Sequence, residues 1–184
     1  MSGNGFVKVP TEELKRLRVD VYPEVNPITT FLKYKLLYTF KSPKSHQWYW
    51  VWVEVYQCDF YAVKFHLKAH RNSPNKYSLM TGLNEARPVI NTCIAIMHEI
   101  GNINPHSSFG FIGANMQDES DVNTKRFRIY RRFMATYFTE EAFEHFFNIK
   151  KSSYLLIRKT ELEVQPNLLN ELDVKFKELY SYFD

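Results

Sequence analysis

The stretch that most limits what this chain can become is Gln47 to Tyr56, QWYWVWVEVY. Its β-branched and aromatic residues favour a strand, and large apolar groups fall on both of the alternating faces. A strand exposed on one side cannot carry Tyr49, Val51, Val53 and Val55 on one face and Trp48, Trp50 and Trp52 on the other. The segment therefore reads as a central strand of a sheet covered on both sides.

Its neighbours read as simpler strands. From Phe31 to Lys41, Leu32, Tyr34, Leu36, Tyr38 and Phe40 alternate with Lys33, Lys35, Thr39 and Lys41, and Ser42-Pro43-Lys44-Ser45 supplies a turn. From Phe60 to His70, Tyr61, Val63, Phe65 and Leu67 oppose Lys64, His66 and Lys68, and Tyr77 to Thr81 reads as a fourth strand. Short connections between them predict an antiparallel meander.

The second half alternates helix and strand. Pro88 to Ile100 predicts a helix, with Pro88 in its first turn, Gly101 as its stop, and a buried stripe through Val89, Ile90, Cys93, Ile96, Met97 and Ile100. Asn91, His98 and Glu99 are placed on its outer face. Phe109 to Gly113 reads as a short strand, Asn123 to Phe138 as a long helix, and Glu140 to Phe147 as a helical turn. Tyr154 to Lys159 is the last strand, and Pro166 to Phe183 a final amphipathic helix. Near the start, Thr11 to Arg18 reads as a short helix with Thr11 as its N-cap. The expected fold is α+β, an antiparallel sheet made of a meander of about four strands plus two later strands, with about three packed helices.

At 184 residues the chain fits one domain, 1–184, with 1–10 as a flexible arm. Aromatic residues make up 16%, which argues against a disordered chain. Cys58, in a strand-like stretch, and Cys93, on the apolar side of the first long helix, are the only cysteines, too few for a disulfide framework, and they read as two buried free thiols. No segment approaches the ~18 apolar residues of a membrane span, and no basic-then-apolar leader opens the chain. These features predict a cytoplasmic protein without a membrane partner.

The sharpest motif is Asn123-Thr124-Lys125-Arg126-Phe127-Arg128-Ile129-Tyr130-Arg131-Arg132. At about 100° per residue, Arg126 falls on the same side as Tyr130, Phe133 and Tyr137, toward the body of the protein. An arginine there requires a carboxylate, phosphate or carbonyl partner. It either grips an anionic ligand beside the helix N-terminus, with Asn123 and Arg128, or serves as scaffold. Lys125, Arg128, Arg131 and Arg132 form an outward basic face, suited to nucleic-acid phosphates, to an acidic protein surface, or to solvent. Asp118, Glu119 and Asp121 precede it and offset part of that charge.

No zinc spacing, nucleophile elbow, Walker loop or dinucleotide fingerprint occurs. His66 and His70 lie about 13 Å apart by strand rise, too far to share a metal. Neither a catalytic residue, a metal site nor a cofactor is expected, and enzyme activity has no positive support. Gly110 and Gly113 mark either a close approach or room for a packed aromatic ring, and the second reading is preferred.

The order Phe111-Ile112-Gly113, then Arg126, Arg128, Tyr130 and Arg131, also resembles a pattern like F-x-x-G-[ST]-x-x-R-x-R-L-Y-R in a group of small uncharacterised bacterial proteins of the Bacteroidetes type. Over residues 77–131 the chain resembles that group, with a longer loop after Gly113 and Ala114-Asn115 in place of small polar residues. The resemblance implies the architecture and brings no activity with it.

The function expected from the sequence is that of a non-enzymatic binding or regulatory protein. It would act through a protein partner or self-association, in a mobile-element, toxin–antitoxin or phage-defence setting. The alternatives are a nucleic-acid-binding module on the basic helix and a small anionic-ligand binder or phosphate-handling enzyme centred on Arg126.

Overall fold

The computed structural model describes residues 5–9, 31–79, 81–114 and 119–179. Seven strands form one sheet: β1 (Val7–Lys8), β2 (Leu32–Lys41), β3 (Trp48–Tyr56), β4 (Phe60–Leu67), β5 (Ser108–Ile112), β6 (Phe143–Asn148) and β7 (Ser153–Arg158). Among the described residues four α-helices accompany them: α1 (Ala86–Ile103), α2 (Lys125–Tyr137), the short α3 (Lys159–Val164) and α4 (Leu168–Leu179). The spatial order is β1-β2-β3-β4-β5-β7-β6, antiparallel at every junction except β4 with β5, which run parallel. Parallel neighbours need a crossover connection, and α1 supplies it. The architecture is the α+β arrangement expected from the sequence.

β3 sits inside the sheet with both faces covered. Tyr49, Val51, Val53 and Val55 join a core with Val89, Ile90, Cys93, Ile96, Met97 and Ile100 of α1 and with Phe127 and Met134 of α2. The opposite face carries two smaller clusters. One joins Tyr56, Phe60 and Ile157 to Leu168, Leu172 and Phe176 of α4, and the other joins Trp50 and Trp52 to Leu37 and Val9.

The alternation of β2 places Leu36, Tyr38 and Phe40 on the α1/α2 side as expected. A register irregularity between Leu32 and Tyr34 turns Leu32 to the opposite side, where it packs on the α4 cluster. Such a bulge re-aims every side chain beyond it.

Several local expectations need correction, among them the stop at Gly101, which lies inside α1. The expected strand from Tyr77 to Thr81 does not form over its described start, Tyr77 to Leu79: Ser78 and Leu79 donate their N–H groups to the Asn75 carbonyl (2.8 and 3.1 Å), which closes that stretch as turns. The fourth strand of the meander is Val7–Lys8 instead, within the segment read as an arm. Phe143–Asn148 is a strand rather than a helical turn, paired along its length with β7. Phe143, Phe146 and Phe147 mimic a helical stripe, yet in the strand Phe146 points away from the other two. Cys58 lies in the turn between β3 and β4, where it and Asp59 adopt left-handed backbone (φ 58 and 50°). His98 does not face solvent: its ring stacks on Phe138 at 4.8 Å and 15°, and burial lowers its pKa. The Thr11–Arg18 helix lies outside the described residues, as does the end of the final helix at Phe183.

Candidate functional site

The first turn of α2 is locked from within the fold. Thr124, fully buried, is its N-cap: Oγ1 accepts the Phe127 N–H (3.1 Å) and donates to the Gly113 carbonyl (2.6 Å). The Thr124 N–H goes to Ser152 Oγ (3.0 Å), whose hydroxyl donates to the Asp121 carbonyl (2.5 Å). Glu119 accepts the Lys125 N–H (2.7 Å). The chain's own oxygens thus take up donors that a bound anion would otherwise meet at this helix end.

The predicted site residues separate into two places. Arg126 turns inward, and its guanidinium donates to the carbonyls of Tyr77, Ser78 (3.2 Å) and Leu79 (2.9 Å). Its partner is therefore backbone, and the arginine fastens the turns after β4 to α2. Arg128 folds back on the helix start and donates to the Asn123 carbonyl (2.5 Å). Asn123 holds the left-handed conformation (φ 52°) that its short amide tolerates. Asn123 and Arg128 are brought together, and Arg126 is not with them. Lys125, Arg128, Arg131 and Arg132 all lie on the exposed face of α2, with the Arg131 guanidinium 3.8 Å from the centre of the Phe147 ring.

Gly110 in β5 and Gly113 just after it have different reasons. A β-carbon on Gly110 would meet the Phe60 ring at 2.4 Å, so here the glycine makes room for an aromatic side chain. A β-carbon on Gly113 would stand 2.5 Å from the Phe127 backbone nitrogen, so there the glycine admits another backbone.

The larger feature of this region is a cleft. β4 and β5 pair only through Phe60–Ala62 and Ser108–Gly110. Beyond that, β4 stays with β3 as far as Leu67 and β5 stays with β7 as far as Ile112. The strands part, and a cavity of about 660 Å³ opens between them. It is lined from both faces of the sheet: Val63, Phe65, Phe111 and Tyr130 on the α2 side, and Leu155 and Phe176 on the α4 side. Tyr130 sets its edge against Phe111 (5.0 Å) and Phe65 (6.1 Å), bridging the two strands where they diverge. Arg126, Tyr77 and Tyr130 also border a smaller hollow of about 330 Å³ that reaches Glu85, so the Arg126 strap forms the partition between the two.

Charge at the cleft is paired. Lys64, on its wall, is 2.5 Å from Glu54, which also meets Lys35 (3.4 Å) and accepts the Tyr56 hydroxyl (2.8 Å). Burial alone would raise the Glu54 carboxyl, but Lys64 first, then Lys35 and Tyr56, hold it down to about 2. At the start of α1, buried Glu85 accepts hydroxyls from Ser42 (2.6 Å), Ser45 (2.9 Å) and Tyr49 (2.6 Å), which ties the β2–β3 turn to that helix.

Among the described residues no group of three His, Cys, Asp or Glu side chains is placed to hold a metal ion. Nor is any described helix long and apolar enough to cross a membrane. In comparisons with known proteins, the chain matches no family model, no curated protein and no solved structure.

Proposed function

We propose that this protein binds a mid-sized organic molecule in the cleft where β4 and β5 part. The observation that carries this reading is the cavity itself, about 660 Å³ at the end of a three-residue parallel ladder. Ligand sites are commonly of this size, with mostly apolar walls and a few placed polar groups. They also favour the carboxyl ends of parallel strands, which is where this opening lies. The aromatic walls suit an apolar or flat portion of the ligand. The parting strand edges suit a linear chain carrying its own amide groups, which can bond to a strand edge as another strand would.

The aromatic strand β3 supports this reading over a broad protein interface, because Trp50 and Trp52 are covered on their own face of the sheet. The test is a thermal-shift and calorimetric panel of coenzyme A, glutathione, a medium-chain fatty acid and ATP. It is run on the native chain and on Ala62→Phe, which places a ring in the cavity. Stabilisation by an amide-bearing chain compound, lost in Ala62→Phe while the unliganded variant still melts cooperatively, supports the proposal. No stabilisation by any of the four, or an undiminished response in the variant, overturns it.

A further inference from the structure

The outer face of α2 continues onto the end of β6. Lys125, Arg128, Arg131 and Arg132 are all exposed there, and Lys150, in the turn after β6, is exposed beside them. The hydrogen bond from the Asn123 N–H to the Ile149 carbonyl (2.9 Å) fixes that turn against the start of the helix. β6 is the last strand of the sheet, and its Phe147 is 45% exposed.

Phe147 is nevertheless held in place. One face carries the Arg131 guanidinium at 3.8 Å. The ring also lies nearly parallel to the buried Tyr154 ring (6.4 Å, 14°), which in turn stacks on Phe111 (5.2 Å, 10°). An anchored, solvent-facing ring capped by a guanidinium and flanked by cations is a stacking platform inside a phosphate-attracting surface.

We propose that this surface, Phe147 with the outer face of α2, binds single-stranded nucleic acid. The basic side chains meet the phosphates, and an unpaired base stacks at Phe147 or on the Arg131 guanidinium. A duplex keeps its bases stacked and has no use for the ring, and an acidic peptide would use the cations alone. Among the described residues, Glu119 is committed to the α2 backbone, and Asp121 and Glu140 are exposed at the margins. The surface is separate from the cleft proposed above as a ligand site, apart from Phe147 at its mouth.

The experiment is fluorescence anisotropy with a labelled 12-nucleotide RNA and the same DNA sequence, single-stranded and as duplex, with polyglutamate as competitor. With about four phosphates neutralised, raising salt from 50 to 200 mM should weaken single-strand binding about 50-fold. The combined Arg128→Ala, Arg131→Ala and Arg132→Ala variant should abolish binding at the higher salt. Phe147→Leu, which keeps an apolar side chain on the edge strand, should cost roughly fivefold or more without changing the salt dependence. Ala62→Phe should bind like the native chain, which keeps a failure here distinct from a failure of the cleft proposal. Absence of binding at 50 mM overturns the inference. So do duplex or polyglutamate bound as tightly as the single strand, an unaffected triple-arginine variant, or an unaffected Phe147→Leu.

Discussion

Gly113 and Phe127 meet backbone to backbone: a β-carbon on the glycine would lie 2.5 Å from the Phe127 nitrogen and 2.6 Å from its Cα. Neither atom can rotate away, since Phe127 is fully buried and its N–H is held by Thr124. Gly113→Ala must therefore displace α2 from the end of β5. Overpacking of this kind costs about 1–3 kcal/mol, which urea denaturation should show as a lower midpoint with little change in slope. A midpoint equal to that of the native chain would mean the contact relaxes freely.

Arg126 is a strap before it is anything else. Its guanidinium spans three successive carbonyls, Tyr77 to Leu79, a fan that a lysine ammonium on a single stem cannot reproduce. Arg126→Lys should loosen the turns after β4, with faster amide exchange and earlier proteolytic cleavage around residues 71–79 and a loss of about 1–3 kcal/mol in stability. If instead exchange and stability stay at native values, the strap carries no mechanical role.

Acid should undo the Glu54 cluster over a defined range. The carboxyl is held at about 2 against an ordinary 4.5, so the folded state binds this proton less readily than the unfolded chain does. Its contribution is complete above pH 4.5, declines as pH falls toward 2, and amounts to roughly 3 kcal/mol at most. Stability measured from pH 6 to pH 2 should fall more steeply in the native chain than in Glu54→Gln, which should already be weakened at pH 7. Parallel curves would remove Glu54 from the acid response.

The two cysteines should differ in reactivity. Cys93 is buried in the core under β3, and burial pushes its thiol up to about 12. Cys58, half-buried in the β3–β4 turn, is raised chiefly by burial and then by Glu171 and Asp59. At pH 8 a thiol reagent should modify Cys58 slowly and leave Cys93 untouched until denaturant unfolds the chain. Rapid labelling of both in the folded protein would contradict the packing around α1.

Where side-chain period decided the structure, the sequence was readable. The two-sided strand became the core from Tyr49 onward, with Trp48 left exposed, and the stripe of α1 became core as expected, because burial follows the period directly. Three features escaped for reasons that no local pattern encodes. Phe143, Phe146 and Phe147 satisfy both periods at once, and only pairing with β7 selects the strand. The Tyr77 carbonyl lies in a turn gripped by Arg126, forty-nine residues further along the chain. The cleft is made by the point at which pairing stops, after Ala62 and Gly110, and Ala62 carries no mark of it. Arg126 was correctly singled out as needing a partner, although three carbonyls and a ligand anion meet that need equally well on paper.

The short ladder between Phe60–Ala62 and Ser108–Gly110 divides the sheet into two leaves, four strands on one side and three on the other. In mechanical terms the molecule is a book bound by a short spine. Three rungs settle where the leaves meet, but the angle between them is set by the rings packed across the opening, Tyr130 against Phe65 and Phe111. A molecule lodged in the gap acts as a wedge on that angle. Its presence would be felt at the far margin of the first leaf, Val7–Lys8, which contributes nothing to the lining of the gap.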